Sequence, residues 1–296
     1  MREIERPAYA KLNLTLEILG RRPDGYHEVC SILQALELHD SLHARAAPNL
    51  SLSIEAEEDV DGPQLSAEDN LVLKAARALR AQSGIREGAS LHLVKRIPVA
   101  AGLGGGSSDA AAALLGLNEL WMLGWGREQL AGLAATLGAD VSFFLAPGAA
   151  LASGRGDLLQ PLPALPPTWA VLVTPTVSLP NKTWWAYSQL APHRWSSGAL
   201  TLDLAARLRS EHPSLSGLHL YNAFESVVVE RVPAVAYCRQ QMWSAGARGI
   251  NLSGAGPTLF ALLDHKPEAA ALASRLRGRL GGLAQVALTR TLGRLP

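Results

Sequence analysis

A cluster of four glycines between a strand segment and an alanine-rich helix segment restricts the fold more than any other feature of this chain. The glycines lie at positions 102, 104, 105 and 106, after the alternating segment Leu91–Ile97 and before Ala110–Trp121. Glycine adopts positive φ angles without steric cost and lets the backbone approach a ligand closely. Pro98 ends the strand. Ser107 and Ser108 are expected to cap the helix that follows, so the sequence predicts a strand, a ligand-binding loop and a helix.

The start of this helix suits phosphate oxygens, because its first N–H groups are unpaired and carry the positive end of the helix dipole. The loop is not a Walker A loop, since no Gly-Lys-Ser/Thr closes it. It is not the dinucleotide-binding fingerprint either, since Ser107 replaces the third glycine. The alternative is a glycine-rich turn that only packs a strand against a helix. Asp109 is explained equally well by ordinary compensation of the helix dipole.

Composition excludes several classes of function. Lys and Arg number 27 and Asp and Glu number 26, which gives a net charge of +1 over 296 residues. A nearly neutral chain lacks the field that attracts polyanions, so no nucleic-acid partner is expected. No segment is typical of a signal peptide or a membrane span. Cys30 and Cys238 lack metal-ligand spacing and are expected as buried thiols. We therefore expect a cytoplasmic protein with no membrane partner and no metal site of its own.

Strand and helix segments are mixed along the chain without the strict alternation of a doubly wound fold, which favours the α+β class. Four prolines occur within residues 160–167. Proline interrupts helices and central strands, so we place a domain boundary there. The prediction is an N-terminal domain over residues 1–160 and a C-terminal domain over residues 161–296. This length allows each domain a core of its own.

Five sequence blocks resemble the GHMP superfamily of small-molecule kinases, which includes galactokinase, homoserine kinase, mevalonate kinase and phosphomevalonate kinase. The glycine block resembles the superfamily's ATP-binding motif. Together the blocks resemble one family within it, the 4-diphosphocytidyl-2-C-methyl-D-erythritol kinases. The blocks are PAYAKLNL at 7–14, GYHEV at 25–29, the glycine block at 98–108, LGADVSFF at 137–144 and LSGAGPT at 252–258. The resemblance implies the two-domain GHMP kinase fold, with an active site in the cleft between the domains.

The resemblance also implies roles for individual residues in phosphoryl transfer. Asp140 takes the proton of the acceptor hydroxyl, and Lys11 orients Asp140 and stabilises the developing charge. The residues alone leave alternatives open, because Asp140 fits an N-cap aspartate and Lys11 fits a solvated strand residue. ATP is the implied phosphoryl donor, and Mg²⁺ accompanies it. The implied ATP-binding residues are Pro98, Val99, Ala100, Ala101, Gly102, Leu103, Gly104, Gly105, Gly106, Ser107 and Ser108.

On the acceptor side, the resemblance implies a receptor for a cytidine diphosphate group. Tyr26 would stack on cytosine, and His27 would hold the polar edge of the base. Tyr187 is the candidate for a second stacking wall, with Trp184 and Trp185 as alternatives. These two tryptophans fit core positions equally well, because adjacent side chains of a strand point to opposite faces. Asn13 lies one strand period beyond Lys11, on the same face, where it could contact the methylerythritol hydroxyls.

Two further segments belong to the resemblance. Residues 253–258 offer a second glycine-rich surface, which lies near the ATP loop in the superfamily, although a plain β-turn explains the same residues. Residues 221–225 resemble a family block to which no chemical role is assigned.

The function implied by the resemblance is ATP-dependent phosphorylation of the 2-hydroxyl of 4-diphosphocytidyl-2-C-methyl-D-erythritol, in non-mevalonate isoprenoid precursor biosynthesis. One alternative is a kinase of the same superfamily that acts on another alcohol. A second alternative is a nucleotide-binding module without catalysis. A dinucleotide oxidoreductase is disfavoured by Ser107 and by the lack of an N-terminal strand-loop-helix unit.

Overall fold

The computed structural model describes residues 2–57, 69–146, 148–179, 181–210 and 214–293. The chain forms two compact units, and each is discontinuous in sequence. The first comprises Met1–Ala10, Leu38–Ala100 and Gly104–Pro147, and the second comprises Lys11–Glu37, Ala101–Leu103 and Gly148–Pro296. Two long strands, β1 (Glu3–Arg21) and β2 (His27–Ala47), contribute residues to both units. The division into domains at residue 160 stays a prediction.

The first unit combines sheet strands with a group of helices. Its remaining elements, among the described residues, are β3 (Ser51–Ala56), α1 (Leu71–Ser83), β4 (Gly88–Lys95), α2 (Gly105–Leu120), α3 (Arg127–Leu137) and α4 (Val141–Phe144). Strand β4 pairs antiparallel with β2, with Ser41 opposite Val94, and parallel with β3. Register places Leu42 opposite Leu93, and both side chains are buried.

Helices α1 and α2 pack against each other in the core of the first unit. The side chain of Asn70 accepts a hydrogen bond from the backbone N–H of Val72 at 2.9 Å and thereby caps the start of α1. The segment Ala110–Ala113 is almost completely buried. Small side chains let α2 approach its neighbours closely. A Cβ atom added at Gly116 would lie 2.6 Å from Ile4 Cδ1, which shows how tight this packing is.

The second unit contains a four-stranded antiparallel sheet and further helices. Its described elements after β2 are β5 (Ala149–Ser153), β6 (Leu158–Pro161), β7 (Trp169–Pro175), α5 (Lys182–Ser188), α6 (Ala199–Ser210), β8 (Tyr221–Asn222), α7 (Glu225–Arg231), α8 (Pro233–Ser244), β9 (Asn251–Leu252), β10 (Leu259–Leu263), α9 (Lys266–Leu280) and β11 (Ala284–Arg290). The sheet order is β11-β7-β10-β9. Strand β8 pairs in parallel with β1, and β5 pairs with β2 and β6.

Helices α8 and α9 contact this sheet, and their apolar side chains form the core with it. Val171 and Val173 of β7 and Leu272 and Leu276 of α9 are buried. Burying a side chain of this size stabilises the fold by about 1.5–3 kcal/mol. The core therefore fixes β7, β9 and β10, and with them the loop between β9 and β10.

The mixture of elements agrees with the α+β prediction, and one local expectation differs from the structure. Trp184 and Trp185 lie in helix α5 rather than in a strand. Trp184 is 73% exposed, whereas Trp185 packs against the core of the second unit. Strand β1 begins at Glu3, ahead of its buried segment, which starts at Ala8. Its charged first residues alternate between exposed and half-buried positions, so the apolar pattern starts later than the strand does.

Candidate functional site

Lys11 and Asn13 form a buried polar pair on one face of β1. The ammonium group of Lys11 donates a hydrogen bond to Asn13 Oδ1 at 2.7 Å, and both residues are only 4% exposed. The two side chains therefore share a face, as the strand period predicts. The alternative that Lys11 is a solvated strand residue is wrong. A buried ammonium group in a hydrogen-bonded setting can act on charge at close range, since water screens it little.

Ser31, which was not predicted from the sequence, holds the Asn13 amide in place. The Ser31 hydroxyl donates to the backbone carbonyl of Thr15 at 2.6 Å and accepts from Asn13 Nδ2 at 2.8 Å. Its single proton is used toward Thr15, so it presents only an acceptor to Asn13. This turns Asn13 Oδ1 toward Lys11. The sequence gives no signal for Ser31, because the contact depends on the pairing of β2 with β1.

The loop between β9 and β10, residues 253–258, packs against residues 101–103. The Ser253 hydroxyl donates to the carbonyl of Gly102 at 3.0 Å, and Thr258 N–H donates to the carbonyl of Ala101 at 3.2 Å. A Cβ atom added at Gly102 would lie 2.2 Å from the carbonyl oxygen of Ser253. The backbone N–H of Lys11 donates to the carbonyl of Leu103 at 2.9 Å. The expectation that the loop at 253–258 lies beside the first glycine loop is confirmed for residues 101–103. A plain β-turn does not account for these contacts.

Asn222 explains the family block at residues 221–225. Its amide donates to the carbonyls of Leu252 at 2.7 Å and Gly254 at 2.9 Å, and its Oδ1 accepts from the backbone of Phe224 at 2.9 Å. All three hydrogen bonds are made by a side chain that is 4% exposed. Asn222 thus holds the backbone at the start of the loop 253–258 through its side-chain amide.

Lys182, at the start of α5, is a second cation at the same loop. Its ammonium group donates to the carbonyl oxygen of Gly256. Burial lowers the pKa of Lys182 to about 7, and the positive charge of Lys11 lowers it further in the same direction. Lys182 was not predicted as a site residue. The scarcity of lysine, with five in the chain, is the one sequence signal that could have suggested it.

Aromatic rings surround the predicted base site in the second unit. His27 and Tyr187 stack with ring centroids 4.5 Å apart, and Tyr187 contacts Phe224 edge to face at 4.8 Å. The His27 and Tyr187 rings touch, so no base fits between them in this arrangement. Burial lowers the pKa of His27, and the charge of Arg21 adds to this effect. The structure thus brings Tyr187 to His27.

Tyr26 is 58% exposed, so it is not a ring packed into its turn. The guanidinium group of Arg155 lies over the Tyr26 ring, 5.0 Å from the centroid. An exposed aromatic face with a cation nearby can receive a flat, polar ring. Trp184 is exposed on α5, and Trp185 is occupied by the core, so Tyr187 remains the better candidate for a second wall.

In the first unit, helix α2 starts earlier than predicted. Gly104 has φ +76° and occupies the N-cap position, and the helix begins at Gly105. Ser107 and Ser108 therefore lie inside the first turn, and the prediction that they cap the helix is wrong. Glycine at the left-handed N-cap lets the chain turn into the helix within the glycine cluster itself. The unpaired N–H groups of the first turn thus belong to the glycine segment, an arrangement that suits phosphate oxygens.

A buried ion cluster lies at the start of the glycine segment in the same unit. The ammonium group of Lys95 contacts Asp40, and it donates to Asp109 Oδ2 at 2.7 Å. Asp40 Oδ1 also accepts from the backbone N–H groups of Arg96 at 2.5 Å and Ile97 at 2.8 Å. The cluster ties the end of β4 to Asp109, the fifth residue of α2. It thereby holds both ends of the connecting segment.

Asp109 is more than a dipole-compensating residue. Burial raises its pKa to about 8, since the pull of Lys95 in the opposite direction is the smaller effect and Asp40 adds repulsion. One ammonium group serves two carboxyl groups in this cluster. A proton held by Asp109 balances their charge. The sequence showed Asp109 but not its partners Lys95 and Asp40.

Asp140 occupies the N-cap position of α4 and is half-buried. The predicted element start is confirmed. Asp140 belongs to the first unit and Lys11 to the second. Their pairing as base and cation stays a prediction.

The described residues contain neither a metal-binding cluster of acidic, His or Cys side chains nor a membrane-spanning helix. No group of three or more His, Cys, Asp or Glu side chains in the described ranges is arranged to hold a metal ion. None of the helices in the described part of the chain is long and apolar enough to cross a membrane.

Two family models match this chain. The model described as GHMP kinases N terminal domain matches residues 70–148, which include α1 and α2. The model described as GHMP kinases C terminal matches residues 203–281, which include the loop at 253–258. The matches confirm the superfamily that the glycine block suggested.

Individual relatives show which family within the superfamily this chain is similar to. The chain is 40% identical to 4-diphosphocytidyl-2-C-methyl-D-erythritol kinase of Shouchella clausii, over 98% of this chain and 95% of the relative. It is 43% identical to the enzyme of that name from Pelotomaculum thermopropionicum, over 91% of this chain and 92% of the relative. Among solved structures, a crystal structure of 4-(cytidine 5'-diphospho)-2C-methyl-D-erythritol kinase matches with a TM-score of 0.76 and 34% identity, covering 97% of this chain and 99% of that one.

Proposed function

The chain belongs to the GHMP kinases and, within them, to the 4-diphosphocytidyl-2-C-methyl-D-erythritol kinase family, and from this premise we propose that it transfers the γ-phosphoryl group of ATP to the 2-hydroxyl of 4-diphosphocytidyl-2-C-methyl-D-erythritol. The buried Lys11–Asn13 pair beside the loop at 253–258 carries the proposal, in a chain similar to these kinases over nearly its whole length. The reaction belongs to non-mevalonate isoprenoid precursor biosynthesis.

Phosphoryl transfer requires a proton acceptor and a stabilised γ-phosphoryl group. In our proposal the Asp140 carboxylate accepts the proton of the substrate's 2-hydroxyl as that oxygen attacks the γ-phosphorus. The bond from the γ-phosphorus to the bridging oxygen breaks, and ADP leaves with the bonding pair. Lys11 orients Asp140 and stabilises the charge on the transferring group. Asn13 holds the Lys11 ammonium and can reach an acceptor hydroxyl with its amide.

We propose that residues 98–108 bind the ATP phosphates through backbone N–H groups. Support comes from the start of α2 at Gly105, where unpaired N–H groups are available. ATP chemistry implies Mg²⁺. The described residues offer no ligand cluster for a metal ion of their own. Mg²⁺ bound together with ATP would neutralise charge on the phosphate groups during transfer, and no residue role given above depends on it.

The cytidine end of the substrate is assigned to the aromatic residues. Tyr26 stacks on the base, His27 bonds its polar edge, and Tyr187 forms the second wall. The exposed ring of Tyr26 and the position of Tyr187 beside His27 support this assignment. We further propose that the enzyme acts in the cytoplasm and has no nucleic-acid or membrane partner.

The test is a coupled assay of ADP release with four alcohols offered separately: the cytidyl substrate, homoserine, mevalonate and galactose. ADP release with the cytidyl substrate alone is the expected result. Release with one of the other alcohols, and not with the cytidyl substrate, would assign the chain to another reaction of the superfamily. ATP binding without turnover of any alcohol would favour a non-catalytic nucleotide-binding module.

A further inference from the structure

Lys182 and Lys11 reach the same loop from different elements of the second unit. Lys182 is the first residue of α5, and its ammonium group donates to the carbonyl oxygen of Gly256. A Cβ atom added at Gly254, two residues earlier in the loop, would lie 3.5 Å from Lys11 Nζ and 3.6 Å from Asn13 Oδ1. Two ammonium groups therefore converge on three consecutive loop residues.

The backbone around Lys182 is specific for this placement. The preceding residue, Asn181, has φ +49°, a left-handed conformation that asparagine adopts more readily than most other non-glycine residues. This turn sets the start of α5 and directs Lys182 toward the loop. At the far end of α5, Tyr187 lies at the predicted base site beside His27. One short helix thus carries a cation at one end and an aromatic wall at the other.

The charges of the two lysines act on each other. Burial is the main reason that the pKa of Lys182 falls to about 7, and Lys11 is the second cause. Like charges at short range repel, and a bridging anion removes that cost while it gains two charge-assisted hydrogen bonds. A phosphate group carries enough charge and enough oxygens to contact both ammonium groups.

We propose that Lys182 is a phosphate-binding residue, which together with Lys11 holds one phosphate group of a bound substrate at the loop 253–256. The inference rests on the proposed function, because that reaction brings two phosphate groups to the site: the diphosphate of the cytidyl substrate and the γ-phosphoryl group of ATP. The shared chemistry is a phosphate oxygen between two ammonium groups. The experiment distinguishes the two sources.

Three variants of the full chain are compared with wild type. Lys182→Met removes the charge and keeps the side-chain length, Lys182→Arg keeps the charge, and Lys266→Met removes an exposed lysine of α9 as a control. If Lys182→Met does not fold, Lys182→Gln replaces it, since an amide can still donate to Gly256. Steady-state assays measure KM for each substrate and kcat. Calorimetry measures the affinity for inorganic pyrophosphate.

Lys182→Met is expected to weaken pyrophosphate binding by about tenfold to a hundredfold, the effect of one lost charge-assisted hydrogen bond. Lys182→Arg should restore most of the affinity, and Lys266→Met should match wild type. A higher KM for the cytidyl substrate identifies its diphosphate as the ligand. A higher KM for ATP, or a lower kcat, identifies the transferred phosphoryl group.

Unchanged pyrophosphate affinity and unchanged kinetics in Lys182→Met would overturn the inference. A lower melting temperature with unchanged affinity would overturn it too, because Lys182 would then only support the loop. So would an arginine variant as weak as the methionine variant, since charge would not be the property that matters. Failure of wild type to phosphorylate the cytidyl substrate contradicts the proposed function instead, and the pyrophosphate measurement still decides the role of Lys182.

Discussion

Lys11 is held at three points, because its ammonium, its backbone N–H and its backbone carbonyl all have close neighbours. The ammonium contacts Asn13, the N–H bonds Leu103, and the carbonyl lies 3.5 Å from the Ser253 hydroxyl, which donates its proton to Gly102. A residue held in this way cannot shift without disturbing both glycine-rich segments. The position of Lys11 is therefore set largely by contacts of its backbone with residues 103 and 253.

Removing the proposed base or cation should stop turnover without unfolding the chain. We expect Asp140→Asn and Lys11→Ala to lower kcat by about a hundredfold or more, as loss of a general base or of transition-state charge stabilisation does. Asp203→Asn, on an exposed position of α6, is the control and should keep wild-type kcat. Thermal unfolding checks that each variant folds. Wild-type rates in either site variant would contradict the assignment.

Asp109 should make stability depend on pH. Its pKa is about 8 in the folded chain, against an ordinary value of 3.8. The folded state then binds the proton more tightly than the unfolded state. The resulting stabilisation is complete below the ordinary pKa and is lost as pH rises toward the folded pKa.

Urea unfolding at several pH values between about 5 and about 8 tests this effect. The free energy of unfolding of wild type should fall with rising pH more steeply than that of Asp109→Asn, which carries no titrating group at this position. Asp203→Asn should keep the wild-type slope. Equal slopes for wild type and Asp109→Asn would show that Asp109 is ionised throughout this range.

At the scale of elements, the contact between residue 102 and the loop at 253–258 depends on glycine. Gly102 has φ +87°, and a Cβ atom there would lie 2.2 Å from Ser253 O and 2.8 Å from Gly256 O. Backbone oxygens cannot move aside as the end of a long side chain can. The two segments must separate if residue 102 gains a side chain.

Gly102→Ala is therefore expected to lower both melting temperature and kcat. The matched control is Gly84→Ala at the C-cap of α1, where φ is +71° and an added Cβ atom has no neighbour within 4 Å. The control bears only the cost of a left-handed conformation, about 1–2 kcal/mol, and should keep its activity. Equal effects of the two substitutions on kcat would mean that the contact at residue 102 is unimportant for catalysis.

At the scale of the whole molecule, the net charge of +1 separates this chain from polyanion-binding proteins. The proposed phosphate contacts are local, formed by backbone N–H groups, the buried Lys11 and the half-buried Lys182. We expect the protein to pass through a heparin column at low salt, because binding to a polyanion requires a field from many surface cations. Strong retention that falls steeply with added salt would contradict this expectation. Retention on an immobilised nucleotide, together with passage through heparin, would agree with phosphate contacts that are local.

The sequence by itself determined the α+β class, the glycine loop with its helix and the superfamily, and it predicted the candidate site residues. These features depend on local patterns: strand alternation around Lys11 and Asn13, glycines that permit a tight turn, and blocks short enough to be recognised in order. The start of α2 was misplaced, because serine is the commoner N-cap and the left-handed Gly104 took that position instead.

Only the tertiary structure decided which distant residues bond to one another within each unit. Lys95 and Asp40 are 55 positions apart, and Lys182 and Gly256 are 74 apart. Asn222 bonds the carbonyl of Leu252 30 positions away. A backbone carbonyl has the same chemistry at every residue, so no pattern in the sequence marks the one that a distant side chain will bind. The burial that shifts the pKa of Asp109 and Lys182 likewise arises only when distant elements pack together.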